Sequence, residues 1–201
     1  MNVAVLISGR GSNLRAILEA EKNNNLGEAK VTLVLSNKPT AKGLEHARAF
    51  GKKVVILESS GFKTREDYDK ELVKILNEHR IDLVELAGFM RILSPVFIEA
   101  FRNRIINIHP SLLPSFPGLH AQKQALDYGV KISGCTVHFV TEEVDGGPII
   151  LQHAVEVLDD DTEETLSQRI LKFEHQLLPK AIRLISEGKV RLEGRKTRIV
   201  S

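Results

Sequence analysis

The sequence predicts an α/β fold: an open, mostly parallel twisted sheet with helices on both faces and late strands that run antiparallel. Three observations carry that expectation. Short apolar runs alternate with amphipathic stretches through the first half of the chain. The runs are unbroken and rich in β-branched residues, as strands buried on both faces require. Later, two longer apolar segments flank the turn sequence Asp145-Gly146-Gly147, which predicts a hairpin.

Each element follows from local pattern. Val3–Ile7, Lys30–Leu35, Val54–Leu57 and Leu83–Leu86 read as the first four strands, and Ile105–Ile108 as the fifth. Asn13–Asn23 reads as the first helix. Ala41–Phe50 reads as the second, with Gly51 as its C-terminal cap. Thr64–Glu78 is amphipathic, with Leu72, Val73, Ile75 and Leu76 inward. Ser94-Pro95 opens a short helix, serine as cap and proline in the first turn. His109–His120 is a proline-rich loop, followed by a helix over Ala121–Tyr128. Gly134–Val140 and Ile149–Val157 form the hairpin. A last helix runs over Thr162–Glu187, capped by Asp161 or Thr162 and stopped at Gly188.

Composition narrows the function classes. The chain has 201 residues, 28 Lys plus Arg against 26 Asp plus Glu, and a net charge of +2. A balance so close to neutral gives no reason to expect nucleic acid or membrane as a partner. The single cysteine, Cys135, excludes an internal disulfide framework and fits a reducing cytoplasm. The N-terminal apolar run is too short for a signal peptide, and no stretch approaches the length of a membrane span. The expected protein is therefore soluble and cytoplasmic, with all 201 residues in one domain. The half over about 1–100 is expected to bind phosphate or nucleotide. The half over about 101–201 is expected to carry the catalytic loop and a second ligand site.

Three places carry chemistry. Ser8-Gly9-Arg10-Gly11-Ser12-Asn13 joins the first strand to the first helix. Glycines there let a ligand approach the backbone, and free N–H groups at the helix start favour an anion such as phosphate. A plain tight turn capped by Ser12 would look the same. Leu14 stands where a dinucleotide fingerprint needs its third glycine, and no P-loop Gly-Lys follows. Second, Asn107 and His109 lie two apart at the end of a strand, so both project from one face. An amide and an imidazole together can bind a developing oxyanion and move a proton. A capping asparagine and a backbone-satisfied histidine would share that pattern. Third, Asp145 is a carboxylate on a turn. It could orient His109 and raise its pKa, or serve the hairpin alone. The remaining histidines show no metal-ligand spacing, so no metal is expected.

Together these motifs resemble the single-domain bacterial glycinamide ribonucleotide formyltransferases. Ser8–Asn13 is similar to their phosphate turn, and Leu86-Ala-Gly-Phe-Met-Arg-Ile-Leu93 to their folate-binding strand end. Asn107-Ile-His-Pro-Ser-Leu-Leu-Pro114, with Pro117-Gly-Leu-His120, is similar to their signature loop. Val137-His-Phe-Val140 and Val144-Asp-Gly-Gly-Pro148 complete the pattern. The resemblance implies a Rossmann-like formyltransferase fold and formyl transfer from 10-formyltetrahydrofolate, a co-substrate, to the amine of glycinamide ribonucleotide. It implies Asn107, His109 and Asp145 as the catalytic trio. Gly11, Ser12, Asn13 and Glu174 would hold the ribonucleotide. Arg65, Met90, Arg91, Ile92, Leu93 and Asn107 would line the folate pocket together with Thr141, Glu142, Glu143, Val144 and Asp145. The oligomeric state is left open, a homodimer included. Another 10-formyltetrahydrofolate enzyme, such as a formyl-folate hydrolase or another amine formyltransferase, is the alternative. A transfer-RNA formyltransferase would need an additional C-terminal domain, and the hydrolase an N-terminal one. A non-catalytic binding module and a nucleotide-dependent dehydrogenase fit the motifs less well.

Overall fold

The computed structural model describes residues 1–200. Seven strands form one sheet in the order β3-β2-β1-β4-β5-β6-β7. β1 (Asn2–Ile7), β2 (Lys30–Ser36), β3 (Lys53–Ile56), β4 (Leu83–Leu86) and β5 (Ile105–His109) pair parallel. β6 (Ile132–Phe139) and β7 (Ile149–Glu156) pair antiparallel, as the hairpin signal predicts.

Helices cover both faces. α1 (Ser12–Lys22), α2 (Gly43–Ala49) and α6 (Glu163–Ser186) enclose one core, where Val3, Val5, Ile7, Leu14, Ile17 and Leu18 are buried. α3 (Arg65–Glu78) and α4 (Pro95–Ala100) enclose the other, around Leu6, Leu33, Tyr68, Leu72, Phe97 and Phe101. Each fully buried Leu or Ile contributes roughly 1.5–3 kcal/mol, so the two layers hold the sheet from opposite sides. α5 (Ala121–Tyr128) follows the proline-rich loop. Val73 and Ile75 of α3 are only partly buried, at the margin of the core.

The strand order reverses between β1 and β4. In open α/β sheets the crevice beyond the carboxyl ends of such strands receives ligands. Ser8 follows β1, Gly88 follows β4 and His109 ends β5, so three sequence motifs meet at that crevice.

Four local features have physical reasons. The helix after the glycine turn begins at Ser12, and Gly11 takes the cap position in a left-handed conformation, φ 73°. A Cβ on Gly11 would lie 2.5 Å from the Gly43 Cα, so the turn packs backbone against backbone on the start of α2. Ser94 does not cap α4 with its hydroxyl; its N–H donates instead to the Asp69 carboxylate from α3, at 2.6 Å. Thr162, rather than Asp161, caps α6, in a reciprocal pair with Thr165. Finally, β8 (Val190–Glu193) and β9 (Lys196–Ile199) form an extra hairpin that no pattern predicts. Its strands are only four residues each and mostly exposed, so the brief alternation of Val190-Arg191-Leu192-Glu193 is too short to stand out as a strand.

Candidate active site

β5 places Asn107 and His109 on one side of the sheet, at its carboxyl end. The antiparallel partner β6 sets His138 opposite Asn107. The loop after β6 then turns back so that Asp145 reaches both histidines. Gly147 permits that return: a Cβ there would sit 1.8 Å from the Phe139 carbonyl oxygen. Phe116, His120 and Asp145 have positive φ of 55°, 57° and 52°. Non-glycine residues rarely adopt this conformation, and it concentrates where a site over-determines its backbone.

Asp145 is the hub. Its Oδ2 accepts from the Gly118 N–H at 2.8 Å and lies 3.3 Å from His109 Nδ1. Its Oδ1 lies 3.6 Å from His138 Nε2. Burial opposes its ionisation, but His138, the Gly118 amide and His109 together outweigh burial and hold the carboxyl below its usual range. On His109, Nε2–H donates to the Phe116 carbonyl at 2.8 Å. Both ring nitrogens thus face acceptors, a setting that suits the imidazolium. Burial nevertheless pushes the His109 pKa below its ordinary value, against the pull of the Phe116 carbonyl and Asp145. Asp145 lies beside the ring and its charge pulls the pKa up, yet desolvation decides the net direction.

Asn107 Nδ2 lies 3.2 Å from His138 Nε2, the same nitrogen that faces Asp145, while His138 Nδ1–H donates to the Phe139 carbonyl at 2.9 Å. One amide hydrogen of Asn107 remains for a reacting oxygen. Sequence reasoning gave His138 no role, although it stood in a quoted motif. The period-two spacing along β6 and the pairing with Asn107 could have pointed to it only once the strand register was known.

These groups form one wall of a cavity of about 600 Å³. Met90, Arg91, Ile92, Leu93 and the Thr141–Asp145 segment line it as expected. Leu86 and Phe89, of the same strand-end segment, do so too, as do Ile98, Leu119 and His120, which sequence reasoning gave no place in it. Met90, Ile92, Leu119 and Val144 are exposed around it, an apolar rim of the kind that receives a flat organic ring. Because Leu86–Leu93 lies in the first half of the chain, the cavity draws on both halves. Arg65 is not among its lining residues: it starts α3, half exposed, beside Glu66.

The glycine turn lies across the crevice. No side chain caps α1, so its first N–H groups are left for a ligand. Asn13 Nδ2 donates to Glu174 Oε2 at 2.9 Å, which joins the turn to α6. Asn13 Oδ1 is buried without a partner. Burial raises the Glu174 pKa, with the Asn13 bond opposing. Cys135 is buried and its thiol is pushed up to about 12, mainly by burial, which disfavours the thiolate.

Known proteins are similar to this chain in sequence and in fold. Residues 1–182 match the family described as formyl transferase. Phosphoribosylglycinamide formyltransferase of Escherichia coli is 47% identical over 192 residues, covering 96% of this chain and 90% of that protein. The trifunctional purine biosynthetic protein adenosine-3 of Drosophila melanogaster is 52% identical over 187 residues; the chain spans only 14% of its length. The crystal structure of glycinamide ribonucleotide transformylase 1 from Symbiobacterium toebii superposes with a TM-score of 0.98 at 49% identity, over 100% of this chain and 94% of that one. The chain therefore belongs to the formyl transferase family and, within it, to the phosphoribosylglycinamide formyltransferases of purine biosynthesis.

Proposed function

We propose that the protein transfers the formyl group of 10-formyltetrahydrofolate to the amine of glycinamide ribonucleotide, giving the N-formyl product and tetrahydrofolate. The observation that carries this reading is the convergence of Asn107, His109 and Asp145 on the cavity wall, across the crevice from an uncapped helix start. The helix start and Ser12 take the phosphate, and Asn13 with Glu174 faces the ribose. The apolar rim and the Thr141–Asp145 segment take the folate ring.

The neutral amine attacks the formyl carbon, forming a C–N bond and a tetrahedral oxyanion. The free Asn107 amide hydrogen and the His109 Nε2–H stabilise that charge as donors. The oxyanion competes with the Phe116 carbonyl for Nε2–H, so the loop carrying Phe116 gives way as substrate enters. Negative charge beside the ring favours its protonated form, which burial alone disfavours. Asp145 holds the opposite nitrogen and balances the cation. The bond from carbon to the folate nitrogen then breaks, and the proton lost by the amine passes by Asp145, His109 or water to that nitrogen. No covalent enzyme intermediate and no metal take part. Among described residues no helix is long and apolar enough to cross a membrane. The reaction suits the cytoplasm, where a homodimer or a monomer would serve equally.

The test is incubation with 10-formyltetrahydrofolate, with and without glycinamide ribonucleotide, following deformylation of the folate. Turnover that requires the ribonucleotide is the expected result. Turnover without it would favour a formyl-folate hydrolase, and none at all would leave only binding.

A further inference from the structure

The folate-facing wall Gly88–Ser94 has no helix or strand of its own; it links β4 to α4. Its backbone is held from behind by buried side chains. Met90 N–H donates to Ser8 Oγ at 2.8 Å, and Ser8 N–H donates to the Gly88 carbonyl at 3.2 Å. Ser8 O–H in turn donates to Asn37 Oδ1 at 2.6 Å, which fixes the hydroxyl so that its lone pair faces Met90. At the other end Ser94 N–H donates to Asp69 Oδ2 at 2.6 Å, with Asp69 fully buried. Between them the Arg91 guanidinium lies 4.1 Å from the Tyr68 ring centre, and Tyr68 O–H donates to the Leu57 carbonyl at 2.9 Å.

We propose that Ser8 and Asp69 are positioning residues for the formyl donor: by anchoring the two ends of Gly88–Ser94 they preset the cavity wall that receives it. The physical reason is preorganisation. A linker without ladder hydrogen bonds samples many backbone states, and a ligand that needs one of them loses affinity in proportion to the rest. Two buried acceptors select the binding state before the ligand arrives. Neither side chain lines the cavity, so neither touches the donor directly.

The inference rests on the reading of this cavity as the folate site, and the experiment separates the two. Tetrahydrofolate binding is measured by calorimetry on the wild-type chain and on Asp69→Ala, Asp69→Asn and Ser8→Ala. Steady-state kinetics and hydrogen exchange of peptides covering Gly88–Ser94 run beside it. Asp69→Ala and Ser8→Ala should each weaken tetrahydrofolate binding and raise the donor KM about 10-fold, as expected when a tight buried hydrogen bond is lost. At saturating substrates kcat should stay within about 3-fold, because the reacting groups are untouched. Asp69→Asn keeps an acceptor oxygen and should recover most of the affinity. Exchange over Gly88–Ser94 should quicken in both alanine variants. Unchanged affinity in folded variants, or parallel loss of kcat and affinity for both substrates, would overturn the inference. Should Asp69→Ala fail to fold, Ser8→Ala decides. If the wild-type chain binds no tetrahydrofolate, the folate reading itself fails, and the exchange data still report whether the two side chains hold the wall.

Discussion

Replacing Glu85 with leucine should stabilise the protein, by an amount that grows with pH. Glu85 sits inside β4, fully buried, and neither carboxyl oxygen has a hydrogen-bond partner. Its neighbours across the ladder are Val5 and Ile106. Burial pushes its pKa well above the ordinary 4.5. An unfolded chain therefore releases this proton near pH 4.5, whereas the folded chain keeps it. Above that pH the unfolded state binds fewer protons, so stability falls as pH rises until the folded pKa is reached. The loss accumulates at about 1.4 kcal/mol per pH unit. Even below pH 4.5 a neutral acid without a partner costs about 1–3 kcal/mol relative to a well-packed apolar group. Leucine removes both contributions at a small change of volume. For a chain of 201 residues, about 1 kcal/mol corresponds to roughly 2–4 °C in Tm. Urea titrations of both proteins from pH 4 to pH 8 give the difference directly. A stability gain that does not change with pH would show that Glu85 titrates alike in both states. A leucine variant less stable at every pH would show that the carboxyl has a partner.

Three further outcomes follow from the site. His109→Ala should lower kcat by roughly 10²–10⁴-fold, the usual range for a lost proton-transfer or oxyanion group, with little change in Tm; near-normal turnover would remove its catalytic role. Asp145→Asn removes the charge that lifts the His109 pKa against burial, so the ring should titrate lower still. Its kcat should then fall at neutral pH and partly return as pH is lowered, and an NMR titration showing an unmoved His109 would contradict the pairing. Gly11→Val drives a side chain into the Gly43 backbone, so it should lower Tm by several degrees as well as raise the ribonucleotide KM. A variant with normal Tm and a raised KM alone would mean that the two loops separate easily.

The parallel half of the fold was legible because β1 and β4 are buried on both faces and read as continuous apolar runs. The same continuity hid Glu85, since one acid among Leu83, Val84 and Leu86 does not break a strand pattern. Asn107 and His109 could be paired from spacing alone, because period two fixes their common face. The approach of Asp145 to His109 depends on a loop return over 36 residues, which local pattern does not encode. His138 needed the β5–β6 register, and Arg65, which only the resemblance suggested, is not among the cavity's lining residues. The C-terminal hairpin escaped because each of its strands is only four residues long, too short for period two to stand out.

The contact between Gly11 and Gly43 constrains how this sequence can drift. A Cβ on either glycine would strike the other's Cα, at 2.5 Å from Gly11 and 3.0 Å from Gly43, where Ile7 Cδ1 also lies at 2.6 Å. The two positions therefore form one unit of inheritance, although 43 − 11 = 32 positions separate them. A first substitution at either meets rigid backbone, and the other glycine, already without a side chain, can offer no compensating truncation. Only a concerted displacement of α2 together with the turn would open a route. Any lineage that retains this packing keeps both glycines for a steric reason, whatever ligand the turn comes to bind.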